Sequence, residues 1–225
     1  MIWEKMDIIT LFTEQRWNIL KSLSEDKYSP LQLAEKSNTT MANISQQLRL
    51  LEASNLVKKE KISNRDKGKP RTLFSLSEDY AYLISATNGF ADKKLVILDN
   101  FHKALFRIWF LEDQNLRNCT EKFLWGIEPY IGNIDLIIIK NEGNYVKVLI
   151  ASKNSKSIDK KIKDVTIKNQ NNEPKDFKTE IITFEQAEKL ARQGKGLFSS
   201  LLDINVIYDP FMIISKLRKM EGSEN

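Results

Sequence analysis

The chain has 225 residues and a mass of 26.1 kDa, long for one compact domain and comfortable for two small ones. Hydrophobic residues make up 41% and charged residues 29%, while 8 Gly and 5 Pro exclude collagen-like and low-complexity chains. A single cysteine, Cys119, excludes a disulfide framework and a cysteine-rich zinc site, and the net charge of +5 is only modestly basic.

The N-terminus mixes Glu4, Lys5 and Asp7 with its apolar residues, unlike a signal peptide. The longest apolar runs, such as Leu136-Ile137-Ile138-Ile139, are far too short to span a bilayer. A soluble cytoplasmic protein with no membrane partner is expected. Ile8, Ile9, Leu11 and Phe12 begin an apolar face that Trp17, Leu20 and Leu23 continue at helical spacing. Ser29-Pro30 then starts a second helix, with Ser as N-cap and Pro in the first turn; Leu31 and Ala34 share a face and Leu33 adds to it.

The polar turn Ser37-Asn38-Thr39-Thr40 leads into a third helix, Met41–Ala53. Ile44, Leu48 and Leu51 fall at i, i+4 and i+7, one buried stripe. At about 100° per residue, Thr39, Ala42, Asn43, Gln46 and Arg49 lie on or near the opposite face. Two short helices joined by a tight polar turn form a helix-turn-helix. Two strands follow, Leu56–Ile62 and Thr72–Leu76, around a polar tip. From Val57 to Arg71, Lys58, Lys59, Lys61, Arg65, Lys67, Lys69 and Arg71 are opposed only by Glu60 and Asp66, a local excess of five charges. A basic hairpin directly after a helix-turn-helix is a wing. Ser77-Glu78-Asp79 then predicts a cap for a further helix through Tyr80, Leu83 and Ile84.

The stretch Ile44-Ser45-Gln46-Gln47-Leu48-Arg49-Leu50-Leu51-Glu52-Ala53-Ser54-Asn55-Leu56-Val57 resembles the recognition helix and turn of ArsR-type winged-helix regulators. Lys67-Gly68-Lys69-Pro70-Arg71 is similar to the wing tips of that family. The resemblance covers about residues 13–86. It departs from the metal-sensing members, because Leu31 to Lys36 holds no cysteine.

The segment Phe90 to Arg117 reads as a linker, and Phe101–Phe110 is apolar on more than one face. Such a helix wants two partners, either both domains of its own chain or a second copy. His102, the only histidine, reads as a packed or surface residue. Cys119 has no adjacent cation to lower its pKa and reads as structural. The remainder alternates short strands (134–139, 145–150, 180–184 and the end of 201–208) with helical turns around 157–164 and 184–194. Asn169 to Asn172 mark a polar loop.

This last part looks like the closing half of small nucleotidyltransferase domains, the resemblance lying in Phe184 to Gly194 and Ser200 to Asp209. Those enzymes cradle a triphosphate on a Gly-Ser turn and hold two metal ions with an Asp-x-Asp pair and a third carboxylate. Here Gly126-Ile127 lacks the hydroxyl, Asn133-Ile134-Asp135 has one carboxylate of the pair, and Glu180 alone could stand for the third acid. No catalytic residue, metal or cofactor is expected, and the chain does not read as an enzyme.

The fold class expected is α+β: a winged helix-turn-helix over 1–86, a linker and dimerisation helix over 87–118, and a small mixed α/β domain over 119–225. The function expected is a sequence-specific transcriptional regulator, a homodimer on double-stranded DNA. Gln46 and Asn43 suit adenine edges, and Arg49 suits guanine or a phosphate. Thr40 and Ser45 suit the backbone, Thr39 belongs to the same DNA-binding surface, and Lys58, Arg65, Lys67, Lys69 and Arg71 suit phosphates on the wing side. Two alternatives stand beside it: a nucleotidyltransferase with a DNA-binding arm, and a winged helix used for protein contacts. The C-terminal domain is read as a ligand-binding or dimerising unit. Lys140, Lys147, Lys153 and Lys156 there suit either an anionic effector or solvent.

Overall fold

A computed structural model describes residues 11–62, 71–143, 145–162, 176–193 and 204–214. The chain divides into two compact units, Met1–Ile97 and Leu98–Asn225. Its class is α+β, with a winged helix-turn-helix first and a small mixed α/β unit last.

The first unit opens with α1 (Glu14–Glu25), α2 (Pro30–Lys36) and α3 (Met41–Ala53). Ser29 caps α2 as a capping box: its hydroxyl accepts from the Gln32 N–H, and the Gln32 side chain accepts from the Ser29 N–H. Both α2 and α3 end the same way. The Thr39 N–H donates to the Ala34 carbonyl and the Asn38 N–H to the Glu35 carbonyl; the Leu56 N–H donates to Leu51 and the Asn55 N–H to Glu52. These are paired Schellman closures, with Asn38 at φ 48° and Asn55 at φ 56° in the left-handed region. Asparagine tolerates that region better than other non-glycine residues.

β1 (Val57–Ile62) and β2 (Arg71–Leu76) pair antiparallel from Val57↔Leu76 to Ile62↔Arg71. Tyr28 adds a bridge on the far side of β2, exchanging both hydrogen bonds with Phe74. Ile19, Leu23, Leu33, Ile44, Leu48, Leu51 and Leu56 form the core under this sheet. Two expected core residues are not in it. Trp17 is 56% exposed, set edge-on to Phe12, and α1 buries Ile19 and Leu20 instead. Leu31 is also 56% exposed, and α2 is buried through Leu33 and Ala34. Ile8 and Ile9 lie outside the described residues.

The segment expected to be helical after Ser77 is a second hairpin, β3 (Tyr80–Thr87) and β4 (Phe90–Ile97), paired from Tyr80↔Ile97 to Thr87↔Phe90. Ser77 does not cap a helix. Its hydroxyl donates to the Asn55 carbonyl and its N–H to the Leu56 carbonyl, which ties it to the turn after α3. Asn88-Gly89 closes the hairpin, with Gly89 at φ 81°, a conformation few side chains tolerate.

The second unit begins with α4 (Asn100–Trp109) and α5 (Gln114–Ile127), capped by Asp99 and Asp113. A continuous helix therefore crosses residues 118 and 119, where the sequence reading put a boundary, and the β3–β4 hairpin crosses 86 and 87. A 3-10 segment (Glu128–Asn133) leads to β5 (Leu136–Asn141), β6 (Tyr145–Ala151), α6 (Ser155–Ile162), β7 (Asp176–Ile182), α7 (Phe184–Arg192) and β8 (Asn205–Tyr208). The sheet order is β7-β6-β5-β8, antiparallel except for the parallel β6–β7 pair that α6 connects. Ile137, Ile139, Val146 and Val148 face a core shared with α4 and α5, while Leu136, Ile138 and Leu149 face another with Ala187 and Ile213. Both faces of the sheet are covered, which explains the unbroken apolar run of β5. Cys119 and Phe123 of α5 lie in the first of these cores. His102 is exposed, and its Nδ1 lies 2.8 Å from Asp99 Oδ2. The N–H of His102, foremost, holds the Asp99 carboxyl below the usual carboxylate range.

The left-handed turn between α2 and α3 gives a direct test. Replacing Asn38 with Gly should leave urea unfolding of the full chain unchanged or slightly more stable. Asn38→Val should cost about 1–2 kcal/mol, the ordinary penalty of that conformation for a side chain with a β-carbon. Equal losses in both variants would contradict the closure described here.

Candidate nucleic-acid interface

The candidate surface is built on α3. Ile44, Leu48 and Leu51 are buried to 1% exposure or less. That stripe fixes the rotation of the helix and turns Ala42, Gln46 and Arg49 to solvent. Gln46 and Arg49 have no hydrogen-bond or ion-pair partner among the described residues, so their donors and acceptors are free.

The other expected residues of this face are engaged locally. Thr40 is the N-cap of α3: its Oγ1 accepts from the Asn43 N–H at 3.2 Å. The Asn43 side chain donates to Thr39 Oγ1 at 3.2 Å and accepts from Gln47 Nε2 at 3.4 Å. Ser45 donates its hydroxyl to the Met41 carbonyl at 2.7 Å, one turn back. Thr39, Asn43 and Ser45 are half-buried, whereas Thr40 is exposed. The side-chain polarity of this helix thus divides in two. One part holds the N-terminal turn together, and Gln46 and Arg49 remain unengaged.

The wing divides similarly. Lys58 Nζ donates to the Ser77 carbonyl at 3.0 Å. Lys59 pairs with Glu52 of α3 at 2.8 Å, and Glu60 pairs with Lys27 at 2.7 Å. These pairs are partly exposed and add little stability, but they occupy charges that the sequence counted as spare. Lys61 and Arg71 are exposed and make no ion pair among the described residues. Arg65, Lys67 and Lys69, the expected tip cations, lie outside the described residues. Lys36 on α2 lies 4.7 Å from the Tyr28 ring centre, and its hydrogen bond to the Tyr28 hydroxyl raises its pKa.

Residues 13–59 match the family model described as bacterial regulatory protein, arsR family. This stretch is similar to the helix-turn-helix of that family. The match runs from just before α1 into β1, and so takes in all of α3 with Gln46 and Arg49. It covers less than a quarter of the 225 residues and does not reach β2 or the second unit. No curated protein matches the chain.

The second unit offers less. Gly126-Ile127, which stands where the resemblance would put a Gly-Ser turn, is the end of α5 and remains helical. Asp135 is buried at 6% exposure, with no hydrogen-bond partner for Oδ2 among the described residues. Burial, followed by the carboxylates of Asp135 and Asp99, raises the pKa of Tyr208. Glu180 is exposed on β7. Lys140 and Lys147 stand opposite one another on β5 and β6, and Lys140 is paired with Glu142 at 3.3 Å. Lys153 lies 6.0 Å from the Phe211 ring centre, and Lys156 is exposed on α6. Among the described residues, no three His, Cys, Asp or Glu side chains are grouped to hold a metal.

The division of roles on α3 can be measured without DNA. Thr40→Ala should cost about 1 kcal/mol of stability through loss of the cap, and Thr40→Ser should restore most of it. Gln46→Ala and Arg49→Ala, made where nothing is packed, should each stay within about 0.5 kcal/mol of wild type.

Proposed function

We propose that this chain is a sequence-specific DNA-binding transcriptional regulator working as a homodimer, with α3 in the major groove and the basic wing on phosphates. The observation that carries the reading is the pairing, on one helix, of a fully buried aliphatic stripe with an opposite face on which Gln46 and Arg49 are unengaged. The ArsR-type match over the same residues supports it. Arg suits the O6 and N7 acceptors of guanine, and Gln suits the N6 and N7 edge of adenine. Small Ala42 beside them lets the helix backbone approach the base edges. Thr40, Asn43, Thr39 and Ser45 shape and stiffen the helix start, and their remaining hydrogen-bonding capacity serves phosphate contact. Lys61 and Arg71, with Arg65, Lys67 and Lys69 of the wing tip, neutralise phosphates beside the groove. The basic wing favours DNA over a protein partner, because a protein-binding wing has no need of so many like charges.

The second unit is proposed to act without catalysis, as a ligand-binding or dimerising element. The helical state of Gly126-Ile127 and the single carboxylate of Asn133-Ile134-Asp135 support this over nucleotide transfer. Nucleotide transfer from a nucleoside triphosphate, measured on the full chain and abolished by Asp135→Ala, would overturn it. An effector could alter DNA reading only by binding one arrangement of the dimer better than another.

Selection of bound fragments from a genomic DNA library tests the main reading, and a short, roughly palindromic site is expected. Uniform weak binding to every duplex would sink it. On the selected site Arg49→Ala should cost about 1–3 kcal/mol and relax preference at one base position. Substituting Arg71 with Ala should weaken binding to all sequences alike and reduce the steepness of log K against log salt by about 0.9.

A further inference from the structure

The hairpin β3–β4 belongs to no larger sheet: among the described residues its two strands pair only with each other. A two-stranded hairpin is marginal in water, and a third strand or a packed face is the usual remedy. Among the described residues it is the root that is held, through Tyr80 and Leu95 against the core of the first unit and Tyr82 6.0 Å from the Phe12 ring. Burial pushes the Tyr80 hydroxyl up to about 12, in keeping with an anchored root. Further out, Leu83 is 39% exposed, Ile84 60% and Phe90 58%.

The two edges differ in chemistry. β4 carries Asp92, Lys93 and Lys94, the kind of charge that keeps a strand edge from pairing. β3 reads Tyr-Ala-Tyr-Leu-Ile-Ser-Ala-Thr and holds no charged residue along its eight positions. Its outer backbone groups face no strand among the described residues. We propose that β3 is the strand through which two copies of this chain pair, antiparallel and edge to edge, in one four-stranded sheet of order β4-β3-β3-β4.

The occupant follows from symmetry and charge. A two-fold axis perpendicular to the sheet makes two identical strands antiparallel and sets each face against the same face of the other copy. Across such an axis an uncharged strand meets itself without like charges opposing. β4 paired with itself would set Lys93 and Lys94 close to their own copies. By the hairpin register the joined sheet would gather Tyr82, Ile84 and Leu95 of both copies on one face, with Lys93 beside Ile84, and Leu83 and Val96 on the other, with Lys94 beside Leu83. The proposal deepens the dimeric regulator reading by naming its interface, and its test does not depend on DNA.

The full chain is measured in solution without DNA by sedimentation equilibrium, and a mass twice 26.1 kDa is expected. Ile84→Glu, which faces Lys93 within its own hairpin, puts two like charges across the axis and should raise the dimer dissociation constant at least tenfold, with the far-ultraviolet circular dichroism unchanged. Independently, Tyr82→Cys, Leu83→Cys and Ile84→Cys are oxidised one at a time. At least one should form a covalent dimer, while wild type, with only the buried Cys119, and Lys93→Cys on β4 should not. A monomer at every concentration assigns the edge to another occupant and overturns the proposal. A dimer that no β3 cysteine cross-links overturns it too. A chain that selects a palindromic site yet fails these tests keeps the regulator and loses this interface. Cross-linking on β3 together with indiscriminate DNA binding loses the regulator and keeps the interface.

Discussion

The rotation of α3 about its own axis is the constraint on which the rest of the first unit depends. Ile44, Leu48 and Leu51 are each buried almost completely. At about 1.5–3 kcal/mol for each fully buried aliphatic side chain, the three together outweigh any preference of the polar residues beside them. A helix so pinned has no freedom over which residues it shows to solvent. Gln46 and Arg49 are outermost because the stripe opposite is innermost. The left-handed closures at Asn38 and Asn55 fix where the helix begins and ends.

Much of this was legible in the amino-acid order. Ser29-Pro30, the polar turn and the i, i+4, i+7 stripe each have one physical reading, and all agreed. What escaped was whatever depended on competition between partners. Ser77 has the chemistry of a helix cap, but the Asn55 carbonyl takes its hydroxyl, and the β-prone run of β3 then pairs with β4. The Asn88-Gly89 turn between two runs of strand formers was the available signal for that hairpin. Trp17 and Leu31 are apolar at helical spacing, yet these short helices bury only a narrow stripe and leave both outside.

The candidate site was legible in outline for the same reason. Periodicity places a residue on a face; it does not say whether its hydrogen bonds are already used. Asn43, Ser45 and Thr40 lie on or near the expected surface, but each is bonded within its own helix turn. The sequence shows Lys59 and Glu60 only as charges, whereas in the fold Glu52 and Lys27 stand beside them. The second unit was harder still. Its sheet buries both faces, so β5 at its centre carries no alternation to separate inside from outside. The one carboxylate of the expected pair, Asp135, is buried, with no partner for Oδ2 among the described residues.

Ser77 has one last consequence. It is bound to the turn after α3 by two hydrogen bonds, and Lys58 of the wing reaches its carbonyl. Three residues later β3 begins. The end of α3, the wing and the second hairpin are therefore tied together at one knot around Ser77. The segment from residues 54 to 80 thus acts as a short splice, in which the exit of one helix, the root of one hairpin and the approach to the next share the same few hydrogen bonds.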